Sequence, residues 1–244
     1  MKKGIYLLPN LVTTGNLLCG FSSLIAAINE QYAKASLAIL IAVCLDYLDG
    51  KVARMTNSSS AFGLEYDSLA DLLSFGMAPG LLLYAWILRP FGPFGWLAAF
   101  LLVICGALRL ARFNVQPTEV RKHTFTGLPI PAAAGVVASA VLLSRQLFGD
   151  FHGVDTDRPL FVVLAVYALA FLMVSNCKYR SFKYIRFRPW TVHYLIGGVL
   201  AVVVIVRMPE VSLFFMFVGY ALSGPVETLL RRKKPKEEAI PAEQ

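Results

Sequence analysis

The chain has 244 residues, of which 57% are hydrophobic and 16% charged, and carries a formal net charge of +8. That balance belongs to integral membrane proteins and leaves no long polar segment from which to build a soluble domain. Hydropathy marks eight spans, at about residues 11–29, 35–56, 67–88, 94–114, 129–148, 160–177, 190–207 and 211–229. The expected fold is an all-α polytopic helix bundle.

With a cytoplasmic N-terminus, eighteen Lys and Arg fall on the cytoplasmic side and five (Lys34, Arg89, Arg145, Arg158, Arg207) on the other. This positive-inside asymmetry predicts that both termini face the cytoplasm, and it accounts for the basic charge without nucleic acid. Lys2 and Lys3 lead into Pro9 and Asn10 rather than a small-residue cleavage site, so the first span is expected to be retained. Pro9 suits a first helical turn, and Asn10, Thr13 and Thr14 then share one face. Cys19, Cys44, Cys105 and Cys177 form no C-x2-C pair and read as unpaired thiols; His123, His152 and His193 lack metal-ligand spacing.

The second and third spans carry the chemistry. Their sequence is Asp46-x2-Asp49-Gly50-x2-Ala53-Arg54-x8-Gly63-x3-Asp67-x3-Asp71. On a helix, Asp46, Asp49, Gly50, Ala53 and Arg54 occupy an arc of roughly 140°, while Gly63, Asp67 and Asp71 form a stripe at every fourth residue. If the two stripes face each other, four carboxylates converge. An intramembrane carboxylate costs roughly 2.5–3.5 kcal/mol even on the lenient insertion scale, and four together repel unless protons or cations neutralise them. Hard oxygen ligands favour Mg2+, Mn2+ or Ca2+ over zinc. Gly50 and Ala53 leave room on the carboxylate face, and Arg54 offers a planar fork suited to phosphate. A set of buried ion pairs is the plainer alternative, but one arginine cannot balance four carboxylates.

This pattern resembles the CDP-alcohol phosphatidyltransferase family, whose motif D-x2-D-G-x2-A-R-x8-G-x3-D-x3-D is matched at every defined position. The resemblance implies a six-helix catalytic core, here about residues 1–177, followed by a basic loop with two further transmembrane helices (178–230) and a charged tail (231–244). It implies two divalent ions held by Asp46, Asp49, Asp67 and Asp71, a CDP-linked lipid donor (CDP-diacylglycerol), and Asp71 as general base. It also implies that Asn10, Thr13, Gly50, Ala53, Arg54 and Gly63 line the CDP site, and that the protein is a homodimer. Capping and interhelical hydrogen bonding are the alternative for Asn10 and Thr13.

After Asp71 the chain continues as Ser74-Phe-Gly-Met-Ala-Pro79, where Pro79 should kink or open the helix and Ser74 lies on the Asp67–Asp71 face. The SFGMAP run, the later LRLARFN (Leu108–Asn114) and GLPIPAAAG (Gly127–Gly135) resemble the phosphatidylserine synthase branch, which implies L-serine as acceptor. Arg109 and Arg112, three residues apart, are expected to face one direction. They either anchor the span at the membrane rim or, with Ser74 and Asn114, bind the acceptor or a lipid phosphate. The far-side loop 149–159, with Asp150, Asp155 and Asp157, reads as solvated. The basic, aromatic connection 178–188 is expected to rest on anionic lipid headgroups, and the tail 231–244 to be disordered.

Three other readings are distinguishable. A sibling enzyme using glycerol 3-phosphate or inositol shares the aspartates but should lack SFGMAP and GLPIPAAAG. A cation-coupled transporter also places carboxylates between spans, yet has no need of D-G-x2-A-R. A purely structural or lipid-scrambling protein gives four unneutralised aspartates no purpose.

Overall fold

The computed structural model describes residues 7–56, 60–115, 125–149, 160–179, 205 and 207–232. Helix α1 (Leu7–Ile28) is followed by α2 (Tyr32–Thr56), and the link between them is short enough to fold the second back along the first. Glu30 turns this corner at φ 59°. Helix α3 (Ala61–Asp71) begins six residues before the predicted third span. Ser60 caps it, its Oγ accepting the Gly63 N–H at 3.0 Å. Residues 57–59 of the expected polar turn lie outside the described residues.

Past Asp71 the helix widens into a π-helical stretch, Leu72–Met77, closed by Ala78 N–H donating to the Leu73 carbonyl, and then returns to α4 (Ala78–Leu83). Pro79 lacks an N–H, and a wide turn just before it absorbs the bond that proline cannot make. A second π stretch, Tyr84–Leu88, and a 3-10 turn, Arg89–Phe91, lead to Gly92 at φ 54°. There the chain reverses into α5 (Gly92–Val115). The two predicted spans 67–88 and 94–114 are thus the arms of one continuous helical hairpin.

Helix α6 (Ile130–Phe148), the shorter α7 (Phe161–Val174) and α8 (Pro209–Arg232) complete the described bundle. The seventh expected span, 190–207, falls almost wholly outside the described residues. Phe125–Thr126 (β1) pairs antiparallel with Lys178–Tyr179 (β2), a small departure from helix that the sequence reading did not contain. Gly127 follows at φ 82°, with its N–H bonded to the Cys177 carbonyl at 2.9 Å. A Cβ there would collide with the Met173 carbonyl, so the α7 end closes over a glycine.

Packing is that of a membrane protein. Asn16, Ser23, Ser36, Ser74 and Ser139 are fully buried, while Leu18 is 64% and Phe21 54% exposed. Polar groups inside and large apolar groups outside make sense only against hydrocarbon. The interior is rich in small residues, Ala27, Ala35, Ala42, Ala78, Ala98 and Ala138 among them, which let helix backbones approach. Pro9–Ile28, Ala61–Val115, Ile130–Phe148 and Pro209–Thr228 are apolar and long enough to cross a bilayer.

Candidate active site

Helix α2 delivers Asp46 and Asp49, and α3 delivers Asp67 and Asp71, one turn apart on the same face. Carboxylate oxygens of Asp46, Asp49 and Asp67 lie within 4.8 Å of one another. The Asp71 carboxyl is within hydrogen-bonding reach of Asp46. Asp49 and Asp71 are buried, and Oδ1 of Asp67 is buried without a hydrogen-bond partner among the described residues.

The first helix holds this cluster from behind. Thr13 is buried and its hydroxyl lies 3.1 Å from Asp49 Oδ2, sharing its proton with the Pro9 carbonyl, also at 3.1 Å. Asn16 Nδ2 donates to Asp71 Oδ1 at 3.3 Å. Asn10 reaches toward Gly63, where an added Cβ would stand 3.3 Å from Asn10 Oδ1 and 3.1 Å from Ser60 Oγ. Asn10 and Gly63 therefore meet across α1 and α3. Gly50 is half-buried on α2; the side chains of Ala53 and Arg54 lie outside the described residues.

The donor set suits a hard divalent cation. Oxygens bound to one Mg2+ stand up to about 4.2 Å apart, and to one Ca2+ up to about 5 Å, so the spacing of the three carboxylates needs little adjustment. A buried carboxylate oxygen lacking a partner is costly unless something positive meets it, and among the described residues Asp67 carries such an atom.

The two arginines of α5 do not face one direction, contrary to expectation. Arg109 turns inward, within Coulomb range of Asp71, Asp46 and Tyr220, and its buried Nε has no hydrogen-bond partner among the described residues. Arg112 is exposed and donates from Nη2 to Asn176 Oδ1 at 3.0 Å. Positions three apart on a helix differ by about 60°, and long side chains amplify that angle when one has a partner outside the bundle. Asn114 donates from Nδ2 to Ser68 Oγ at 2.9 Å, tying α5 to α3. Ser74 is fully buried with its hydroxyl donated to the Asn16 carbonyl at 3.0 Å. It lies on the aspartate face but deeper, against α1, where it serves helix packing rather than open space.

Sequence reasoning missed Asn16 and Gly20. A Cβ on Gly20 would come within 2.7 Å of Ser74 Cα and 2.8 Å of Leu73 Cδ2, so the glycine permits α1 to touch the π turn. The signal was present: Asn10, Thr13, Asn16 and Gly20 recur at three to four residues, a polar and small stripe on an otherwise apolar span.

Residues 6–174 match the family model of CDP-alcohol phosphatidyltransferase. The chain belongs to the CDP-alcohol phosphatidyltransferase family. A Helicobacter pylori protein named CDP-diacylglycerol–serine O-phosphatidyltransferase is 40% identical over 182 residues, 75% of each chain. A Bacillus subtilis protein of the same name is 35% identical over 176 residues, 72% of this chain and 91% of its own. An archaetidylserine synthase of Methanothermobacter thermautotrophicus is 37% identical over 174 residues, 70% of this chain and 69% of its own. The phosphatidyltransferase family uses a divalent metal, and the acidic cluster is where this member could hold one. Helix α8 lies beyond the matched residues, yet it carries Tyr220 toward Arg109 of this phosphatidyltransferase. The Tyr220 ring packs on Tyr179, centroids 5.6 Å apart, and the Tyr179 hydroxyl donates to the Ala221 carbonyl at 2.9 Å.

Proposed function

We propose that the chain transfers the phosphatidyl group of CDP-diacylglycerol to the hydroxyl of L-serine, giving phosphatidylserine and CMP. The observation that carries this reading is the meeting of Asp46, Asp49 and Asp67, with Asp71 beside them, inside a bundle of membrane-length helices. The acceptor follows from the relatives: their names differ in the donor lipid, diacylglycerol or archaetidyl, but share serine.

Asp46, Asp49, Asp67 and Asp71 would hold divalent metal, Mg2+ or Mn2+ with Ca2+ as the alternative, in two ions. When bound, the metal neutralises the diphosphate and the charge developing on the departing CMP. Asp71 takes the proton of the serine hydroxyl as the serine oxygen forms its bond to the lipid-side phosphorus. The bond from that phosphorus to the bridging diphosphate oxygen breaks, and CMP leaves with the electron pair. Thr13 orients Asp49, and Asn16 fixes the rotation of Asp71 by its hydrogen bond. Asn10, Gly50, Ala53, Arg54 and Gly63 form the CDP side of the site. Arg109 supplies the cation for an anionic substrate group, whereas Arg112, engaged with Asn176, acts at the rim.

The aspartates face the cytoplasm in this reading, in a multi-pass protein of the cell membrane with both termini inside. The protein is a homodimer whose basic 178–188 segment touches anionic lipids, and residues 1–177 form the catalytic core. The decisive experiment measures CMP release from CDP-diacylglycerol by the purified protein with L-serine, glycerol 3-phosphate or inositol, with a chelator control. Release that requires serine and stops with the chelator supports the reading. Equal release with either other alcohol assigns the chain to a sibling activity.

A further inference from the structure

Helix α8 (Pro209–Arg232) lies beyond residues 6–174 that match the family, yet it is keyed into the core at two defined points. The ring of Phe217 fills a notch at Gly135 of α6, where an added Cβ would stand 2.6 Å from Phe217 Cζ. The ring of Tyr179 fills a second notch at Gly224 of α8, where an added Cβ would stand 2.6 Å from Cε1 and 2.7 Å from Cε2. Tyr179 is fully buried, donates to the Ala221 carbonyl at 2.9 Å and packs against the Tyr220 ring at 5.6 Å. Two rigid aromatic rings seated in glycine notches fix the rotation and the height of α8, and with them the direction in which Tyr220 points.

The same contacts lead back to Arg109. Tyr179 pairs with Phe125 across the short two-stranded tie, and the Leu128 N–H donates to the Leu172 carbonyl at 3.1 Å. Ile130 then packs at Gly106 of α5, where an added Cβ would stand 2.6 Å from Ile130 Cδ1. Gly106 precedes Arg109 by three residues, about one helical turn. A continuous run of contacts through the start of α6 and Tyr179 therefore sets Tyr220 relative to Arg109, whose guanidinium the phenol approaches within Coulomb range.

An arginine so placed needs a partner. Its stem is long and flexible, it points inward from a membrane span, and its buried Nε has no hydrogen-bond partner among the described residues. Asp46 and Asp71 pull on the guanidinium less once their charge is offset by divalent metal, whereas the pull of a neutral phenol does not change. We propose that Tyr220 is a positioning residue for Arg109, so that a helix outside the family-matched segment completes the anion-binding side of the active site. This rests on the reading of Arg109 as the cation for an anionic substrate group and adds the residue that aims it.

The test is CMP release from CDP-diacylglycerol by the purified full chain, with whichever alcohol supports it and both substrates varied, beside a thermal melt. Tyr220→Phe keeps the ring that packs on Tyr179 and removes only the hydroxyl. It should raise the KM of the same substrate that Arg109→Gln affects, by about tenfold, with kcat changed less than about twofold. In an Arg109→Gln background, Tyr220→Phe should add less than about twofold, because the group it acts through is gone. Phe217→Leu loosens α8 at Gly135 without touching the phenol, so it should lower the melting temperature and leave that KM unchanged. An unchanged KM in Tyr220→Phe, or a rise that persists undiminished without Arg109, overturns the proposal. An equal rise in Phe217→Leu overturns it too, making α8 a packing element only. If Arg109→Gln itself shifts neither KM, the anion-binding role of Arg109 fails first, and the proposal with it.

Discussion

Replacing Asn16 by leucine tests whether α1 tunes the reacting carboxylate. Asn16 is fully buried, and its Nδ2 is the hydrogen-bond donor that α1 offers Asp71. Leucine is of similar size but cannot donate. A hydrogen bond to a charged group contributes about 1.5–3 kcal/mol. At 3.3 Å the bond lies just past the usual N–H···O range, so the lower end applies. A loss of about 1.5 kcal/mol from the transition state lowers kcat about tenfold. The assay is CMP release by purified Asn16→Leu protein with serine and CDP-diacylglycerol varied separately, beside a thermal melt. The Ser74 hydroxyl bonds the Asn16 backbone carbonyl, which the substitution keeps, so α1 should stay docked. The expected result is a roughly tenfold lower kcat with both KM values little changed, as a positioning residue requires. A folded variant with unchanged kcat, or one altered only in KM, refutes the reasoning.

Asp71→Asn should retain donor binding but lose turnover by at least about 100-fold, the low end for a general base; near-native turnover would remove Asp71 from that role. Thr13→Val removes the hydroxyl that orients Asp49, so the Mg2+ or Mn2+ concentration for half-maximal activity should rise about tenfold. An unshifted metal titration would leave Thr13 a packing residue. Arg109→Gln should raise the KM of an anionic substrate well above the effect of Arg112→Gln, since only Arg109 turns toward the aspartates. The reverse order would move the anion site to the rim. Gly20→Val should lower stability by about 1–3 kcal/mol, because its Cβ would overlap the Ser74 backbone; an unchanged thermal melt would mean that α1 and the π turn do not pack as described.

Local pattern carries much of this protein. A run of apolar residues needs no partner to declare a membrane helix, because its length is matched to the solvent it crosses. The aspartate spacing is equally local: helical periodicity alone puts Asp46 with Asp49 and Asp67 with Asp71, whatever surrounds them. Tertiary packing decided what periodicity leaves open. Which side of α1 met the carboxylates depended on Gly20 admitting the π turn, and that made Asn16 a partner of Asp71. The same packing sent Arg109 inward and Arg112 outward, although the two stand one helical turn apart. It buried Ser74 against a backbone carbonyl, and it brought Tyr220 to Arg109 from a helix more than a hundred residues away. Such contacts depend on how close two helix backbones approach, and that distance is set by small residues on separate segments acting together.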